Sequence, residues 1–217
     1  MVFRRLLSRW LPLLRFRGSR EYWEHRYRLG GDSGDGSYGR PALYKAEVLN
    51  GFVAEHDVVD VIEFGCGDGH QLCLARYRNY FGLDVSSEAI ERCRHRFAAD
   101  PSRRFALVDD YAGEQADLAL SLDVLFHLVE DSVYDRYLDR LFAATRRFVV
   151  LYTTSTNDPP RRLAHVRHRP VEQDVAVRFP DFERMGDVEN ALPPPVQFSG
   201  ELATRFFFYR RKCTAGT

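Results

Sequence analysis

Between residues 58 and 154 the apolar positions follow two alternating rhythms. VVDVIEF (58–64), NYFGLDV (79–85), RRFALVD (103–109), a stretch within ADLALSLDVLF (116–126) and RRFVVLYTT (146–154) are short runs rich in Val, Ile, Leu and Phe, and read as strands. Between them DGHQLCLARY (68–77), SSEAIERCRHRFAAD (86–100) and EDSVYDRYLDRLFAATR (130–146) read as helices, with Ser86 or Ser87 as a cap. Strands that alternate with helices predict a parallel sheet covered on both faces.

Upstream, SREYWEHRYRL (19–29) predicts a short helix capped by Ser19, and PALYKAEVLNGFVAEH (41–56) a second with proline in its first turn. Between them lies the glycine-rich loop GGDSGDGSYGRP (30–41). Downstream, STNDPPRRLAHVRHRP (155–170) is a polar, basic loop and VEQDVAVRFP (171–180) a short helix; FERMGDVEN (182–190) and TRFFFYRRK (204–212) are two strands joined by a proline-containing loop. The first 18 residues form a separate basic segment. Phe3, Leu6, Leu7, Trp10, Leu11 and Leu14 recur at a helical period among Arg4, Arg5, Arg9, Arg15 and Arg17, with no acid. Such a helix can lie on an anionic membrane; the alternative is that it packs on its own domain or on a second subunit. The expected organisation is therefore 1–18 as this segment, 19–212 as one domain whose residues 19–57 form N-terminal helices and a lid loop, and 213–217 as a frayed tail.

Composition narrows the function. The 217 residues carry 31 Lys and Arg against 31 Asp and Glu, a balance of +0 that argues against binding nucleic-acid backbone. Hydrophobic residues at 45% are enough for one sizeable core. Cys66, Cys73, Cys93 and Cys213 form no CxxC pair and no zinc spacing, so no metal is expected. Reduced thiols and the lack of a long apolar run point to the cytoplasm, with the basic segment as a route to the inner face of the membrane.

The chemistry concentrates in VIEFGCGDGHQL (61–72). No lysine follows its glycines, which excludes a P-loop, and Gly65, Gly67 and Gly69 give GxGxG rather than the dinucleotide GxGxxG. Glu63 at the strand end would repel a pyrophosphate and attract a cation. S-adenosylmethionine, with a sulfonium and an ammonium but no phosphate, fits such a turn. Asp84 ends the next strand at the interval expected of an acid that holds a ribose. Asp109 and Asp110 end the third, where one of them can accept from an adenine amino group.

EFGCGDG, GLDVS, LVDD and LSLDVLFHLVED together resemble the motifs of class I S-adenosylmethionine-dependent methyltransferases. The resemblance spans about residues 22–212 and is strongest in the middle. It implies a Rossmann-like α/β fold with a seven-stranded, mostly parallel sheet, helices on both faces, and TRFFFYRRK as an antiparallel last strand beside the fifth. It also implies that Glu63, Gly65, Gly67, Asp84 and one of Asp109 and Asp110 contact the methyl donor, in a site to which Cys66, Gly69, Val85 and Ser121 also belong. The N-terminal helix and glycine loop look like a feature that closes over the donor in some bacterial members, with Tyr22, Tyr38 and Lys45 as closing residues.

Two groups remain for the acceptor. His127 follows the fourth strand, where an imidazole can take a proton, with Asp123 to orient it or to touch the ligand. His165, Arg167, His168 and Arg169, with Arg161 and Arg162, lie in the loop after the fifth strand and could hold an anionic acceptor. The expected activity is methyl transfer to a hydroxyl of a small or glycan-like, anionic acceptor. N-methylation of a small amine is the alternative within the class; an NAD-dependent oxidoreductase or a non-catalytic cofactor-binding scaffold are alternatives outside it.

Overall fold

The computed structural model describes residues 16–157, 164–189 and 203–213. The basic segment lies almost wholly outside them, as do Arg161, Arg162 and most of the loop before the last strand.

Seven strands form one sheet: β1 (Asp60–Phe64), β2 (Asn79–Asp84), β3 (Arg103–Leu107), β4 (Ala116–Leu122), β5 (Thr145–Thr153), β6 (Phe182–Glu189) and β7 (Arg205–Arg211). Their order is β3-β2-β1-β4-β5-β7-β6. β1 to β5 pair in parallel, while β7 runs antiparallel to both β5 and β6. The order reverses between β1 and β4, which leaves a crevice at their carboxyl ends.

Residue alternation assigns the two faces. Val61, Leu118, Leu120, Val150, Phe206 and Phe208 pack with Leu49, Phe52 and Val53 of α2 (Gly39–Glu55) and with Ile90 and Cys93 of α3 (Ser87–Arg96). Ile62, Ala119, Val149, Leu151, Phe207 and Tyr209 pack with Leu138, Leu141 and Phe142 of α4 (Asp131–Ala143) and with Val171 and Val175 of α5 (Val171–Arg178). Both faces being covered explains why the strands read as nearly continuous apolar runs. Among the described residues no helix is long and apolar enough to cross a membrane.

Two expected elements differ. No α-helix follows β1: residues 68–77 hold only a 3-10 turn, Gln71–Leu74. Asn50 of α2 accounts for this. Its side chain donates to the Leu74 carbonyl at 2.9 Å and accepts from the Arg76 amide at 2.8 Å, so it takes up backbone groups that a continuing helix would use. Ser19 does not cap α1 (Ser19–Arg28), whose cap position is Gly18. Its hydroxyl donates to Glu130 Oε2 at 2.6 Å and accepts from the Val129 amide at 3.0 Å, which ties α1 across the crevice. Ser86 does cap α3, accepting from the Ala89 amide at 3.3 Å.

Candidate functional site

The crevice encloses a cavity of about 380 Å³. Its floor is the turn after β1. Gly65 and Gly67 sit at φ +85° and +59°, in the left-handed region. A β-carbon on Gly65 would collide with Val124, and one on Gly67 with the Ser33 hydroxyl. The Gly65 and Cys66 amides donate to the Leu83 carbonyl at 2.7 and 3.0 Å, and the Gly67 amide donates to Asp84 Oδ2 at 2.9 Å. The turn is thus braced against the end of β2. Asp84 Oδ1 accepts from the Ser86 amide at 2.9 Å. Burial raises the Asp84 pKa against these amide bonds. A carboxylate offers about four lone-pair sites, so Asp84 keeps acceptor capacity beyond these amides.

Glu63 is buried beside the turn and accepts from the Tyr80 hydroxyl at 2.5 Å. Burial pushes its pKa up to about 7, with the Tyr80 bond and the Lys45 charge opposing the rise. Asp123 follows β4 at φ +59°, unusual for a residue with a side chain. Its Oδ2 accepts from the buried Lys45 ammonium at 2.6 Å, and its Oδ1 is buried without a partner. Gln71 also lines the cavity; its Nε2 donates to the Ala42 carbonyl at 3.0 Å, and its Oε1 is likewise unpartnered.

His127 also lines the cavity. Its Nδ1 lies 3.0 Å from the His165 carbonyl, which can only accept, so Nδ1 carries the proton and Nε2 is left as the basic nitrogen. The Trp23 ring meets it edge-on at 5.0 Å. Burial lowers its pKa to about 4, the His165 carbonyl opposing and the His165, Arg26 and His168 charges assisting. The imidazole is therefore neutral at physiological pH. Asp123 does not orient it; that carboxylate is taken by Lys45.

The N-terminal loop lies over the floor. The Ser33 hydroxyl is 2.9 Å from that of Tyr27 and accepts from the Asp68 amide at 3.0 Å, while Tyr38 donates to Asp68 Oδ2 and stacks on His70 at 4.1 Å. Burial works to raise the Asp68 pKa, but the Tyr38 hydroxyl and the His70 amide outweigh it and hold the carboxyl low. At the rim Arg20 reaches Asp109 at 2.6 Å.

Glu63, Gly65, Cys66, Gly67, Asp84, Val85, Asp109, Asp123 and His127 all line the cavity. Gly69, Asp110, Ser121 and Tyr38 do not. Ser121 is fully buried with its hydroxyl 2.7 Å from that of Tyr137, whose own proton goes to the Phe64 carbonyl, and Tyr38 acts through Asp68. The basic loop departs furthest from expectation. Arg169 is 8% exposed and donates to Asp131 at 2.6 Å and to the Leu128 and Val129 carbonyls at 3.1 and 3.2 Å. Arg167 pairs with Asp131 at 2.8 Å and donates to the Val129 carbonyl at 2.9 Å. His168 bonds Thr154 at 2.7 Å and His165 stacks on Tyr22 at 4.8 Å. These side chains fasten the loop to the protein instead of lining an anion cradle.

Wall residues not expected include Trp23, Tyr27, Gln71, Arg136 and Tyr137. A periodic signal marks some of them: Ser19, Trp23 and Tyr27 recur every fourth residue along α1, and Val133, Arg136, Tyr137 and Arg140 form one stripe of α4.

Residues 62–149 match a family model described as a methyltransferase domain. No curated protein matches the chain in sequence. The fold is similar to that of magnesium protoporphyrin IX methyltransferase from Synechocystis PCC 6803 with bound SAH, at 15% identity and TM-score 0.64, covering 89% of this chain and 98% of that one. It is similar also to the N-methyltransferase NodS from Bradyrhizobium japonicum WM9 in complex with S-adenosyl-L-homocysteine (SAH), at 16% identity and TM-score 0.67, again covering 89% and 98%. The methyltransferase domain of a bacterial Hen1 aligns at 17% identity and TM-score 0.61, over 78% of this chain and 98% of that one.

Proposed function

We propose, from the premise that this chain is a class I S-adenosylmethionine-dependent methyltransferase, that it methylates a hydroxyl of a small or glycan-like acceptor, with His127 receiving the proton. The residues fit the donor. The turn offers bare backbone at Gly65 and Gly67, the nearby wall is acidic at Glu63, Asp84 and Asp123, and the one ammonium among them, Lys45, is already paired. That charge suits a sulfonium and an ammonium and opposes a pyrophosphate. Asp84 would hold the ribose hydroxyls, and Glu63 would face the cationic end.

The donor supplies an electrophilic methyl group and leaves as a neutral thioether. The acceptor oxygen makes the new bond to carbon, and its proton passes to Nε2 of His127. A hydroxyl that has begun to bond to the methyl becomes strongly acidic, so a neutral imidazole with a pKa of about 4 suffices late in the reaction. The observation that carries this reading is the fixed tautomer of His127 on the cavity wall. The internal bonding of Arg167 and Arg169 removes the reason to require an anionic acceptor.

The test is transfer of labelled methyl from S-adenosylmethionine into fractionated host extract, with identification of the labelled atom. Label found only on nitrogen overturns the hydroxyl assignment. Asp84→Ala is expected to raise the donor Kd by about 10–100-fold, the loss of a charged hydrogen-bond acceptor worth roughly 1.5–3 kcal/mol. An unchanged Kd by calorimetry removes Asp84 from the site.

Glu63 gives a proton signature. With a pKa of about 7 it is about half protonated at neutral pH, and a cation beside it favours the ionised form. Donor binding at pH 7 is therefore expected to release roughly half a proton, measured by calorimetry in buffers of different ionisation enthalpy. Glu63→Gln should abolish the release; a release that persists in the variant assigns it to another group.

A further inference from the structure

The wall that α4 gives the cavity carries a cation to which the protein offers no partner. Val133, Arg136, Tyr137 and Arg140 line the cavity as one stripe of that helix. Arg136 is exposed, and among the described residues its side chain makes no hydrogen bond, ion pair or ring contact. The other two arginines on the wall are engaged. Arg20 pairs with Asp109 at 2.6 Å, and Arg140 donates to the Val108 carbonyl at 3.3 Å. The carboxylates of α4 itself are turned to other partners: Asp131 holds Arg167 and Arg169, while Asp135 and Asp139 both hold Arg178. Glu63, Asp84 and Asp123 line the same cavity, and Arg136 pairs with none of them. Arg136 and Arg140 stand four residues apart on one helix face, where like charges repel and an anion between them would relieve the repulsion. The α4 wall therefore keeps an uncompensated positive charge in a cavity whose glycine turn is acidic.

We infer that Arg136 binds an oxyanion of the acceptor, a carboxylate or a phosphate, with the Arg140 charge reinforcing it. A guanidinium is planar and presents paired N–H donors that match two oxygens of such a group. The inference rests on the methyltransferase reading and deepens it: the acceptor is a hydroxyl compound that is also an anion. Arg167 and Arg169 gave no ground for this, because the protein's own groups satisfy them. Arg136 gives the ground that they lack. Charge then sorts the two substrates within one cavity. Glu63 and Asp84 at the turn favour the cationic donor and repel an anion, while α4 attracts the anion and repels the donor's cationic end. The donor's own α-carboxylate shares the acceptor's chemistry and is the second source the test has to separate.

The test uses the whole chain and Arg136→Gln, an exposed position at which the variant is expected to fold. In the acceptor arm, ligand-observed saturation transfer is titrated with SAH present for benzoate, phenyl phosphate and benzyl alcohol. The expected result is binding of at least one anion, little of the alcohol, and a loss of about tenfold or more in the anion's affinity in the variant. No preference for either anion over the alcohol, or an anion affinity unchanged in the variant, overturns the inference. In the donor arm, calorimetry compares SAH with its analogue lacking the α-carboxylate, and both Kd values are expected to be the same in the variant as in the wild type. A loss of about tenfold or more for SAH alone assigns Arg136 to the donor's carboxylate, an equal loss for both assigns it to the adenosine portion, and either overturns the acceptor assignment. The methylated product from host extract is expected to be retained on an anion exchanger at neutral pH; label that runs through as a neutral compound overturns the inference. Retained label that nuclease digestion breaks down belongs to a nucleic-acid backbone and overturns the small acceptor. A wild-type chain that binds no SAH refutes the methyl-donor reading instead, and the three probes on the bare chain still decide Arg136.

Discussion

Replacing His127 with glutamine is expected to lower kcat by about 10²–10⁴-fold while leaving the donor Kd unchanged, the range for loss of a positioned proton acceptor. Glutamine retains a side-chain N–H to meet the His165 carbonyl but offers no basic nitrogen. The pH profile separates a proton acceptor from a packing residue. Burial holds His127 at a pKa of about 4, so its contribution to the rate is expected to be level from pH 5 to 7 and to fall only near 4. An ascending limb centred at the ordinary 6.5 that disappears in the variant would place the imidazole in solvent and contradict the buried geometry. A normal turnover in His127→Gln would end the role outright.

The same burial has a stability consequence of definite sign. The unfolded chain protonates His127 near 6.5 and the folded one only near 4, so the unfolded state binds the extra proton in between. Stability from this group is complete above 6.5 and is lost as pH falls toward 4, by about 3 kcal/mol at 1.36 kcal/mol per unit. Glu63 works in the opposite direction. Its folded pKa of about 7 exceeds the ordinary 4.5, so its contribution is complete below 4.5 and is lost, by a similar amount, as pH rises to 7. Across the shared window the two nearly cancel. Denaturation midpoints should accordingly change more steeply with pH in either single variant than in the wild type.

What the sequence disclosed and what it withheld divide along chain distance. The turn at Gly65 and Gly67, the acid at Asp84 and the carboxylate at Glu63 were legible because each sits at the end of a strand whose apolar run marks its register. The antiparallel place of β7 followed from the resemblance and from a late aromatic strand. The partners of Asp123 and His127 were not legible. Lys45 comes from α2 and the His165 carbonyl from the loop after β5, and no local spacing links them. Arg167 and Arg169 meet Asp131 at the start of α4 and the carbonyls before it. A count of basic residues does not tell a ligand's anion from the protein's own.

The Lys45–Asp123 pair is where loss of one side chain should cost the fold most. Lys45 is 1% exposed, its ammonium lies 2.6 Å from Asp123 Oδ2, and it stands 5.3 Å from the centre of the Tyr152 ring. Lys45→Met fills a similar volume but leaves a largely buried carboxylate with both oxygens unsatisfied. Removing one partner of a buried pair costs about 3–5 kcal/mol, because the remaining charge is stranded, so a corresponding loss is expected in urea denaturation. Adding Asp123→Asn to Lys45→Met should recover most of it, since a neutral amide no longer needs a counter-charge. If the double variant is as unstable as the single one, the lysine acts through its packing on Tyr152 and α2 and not through its charge.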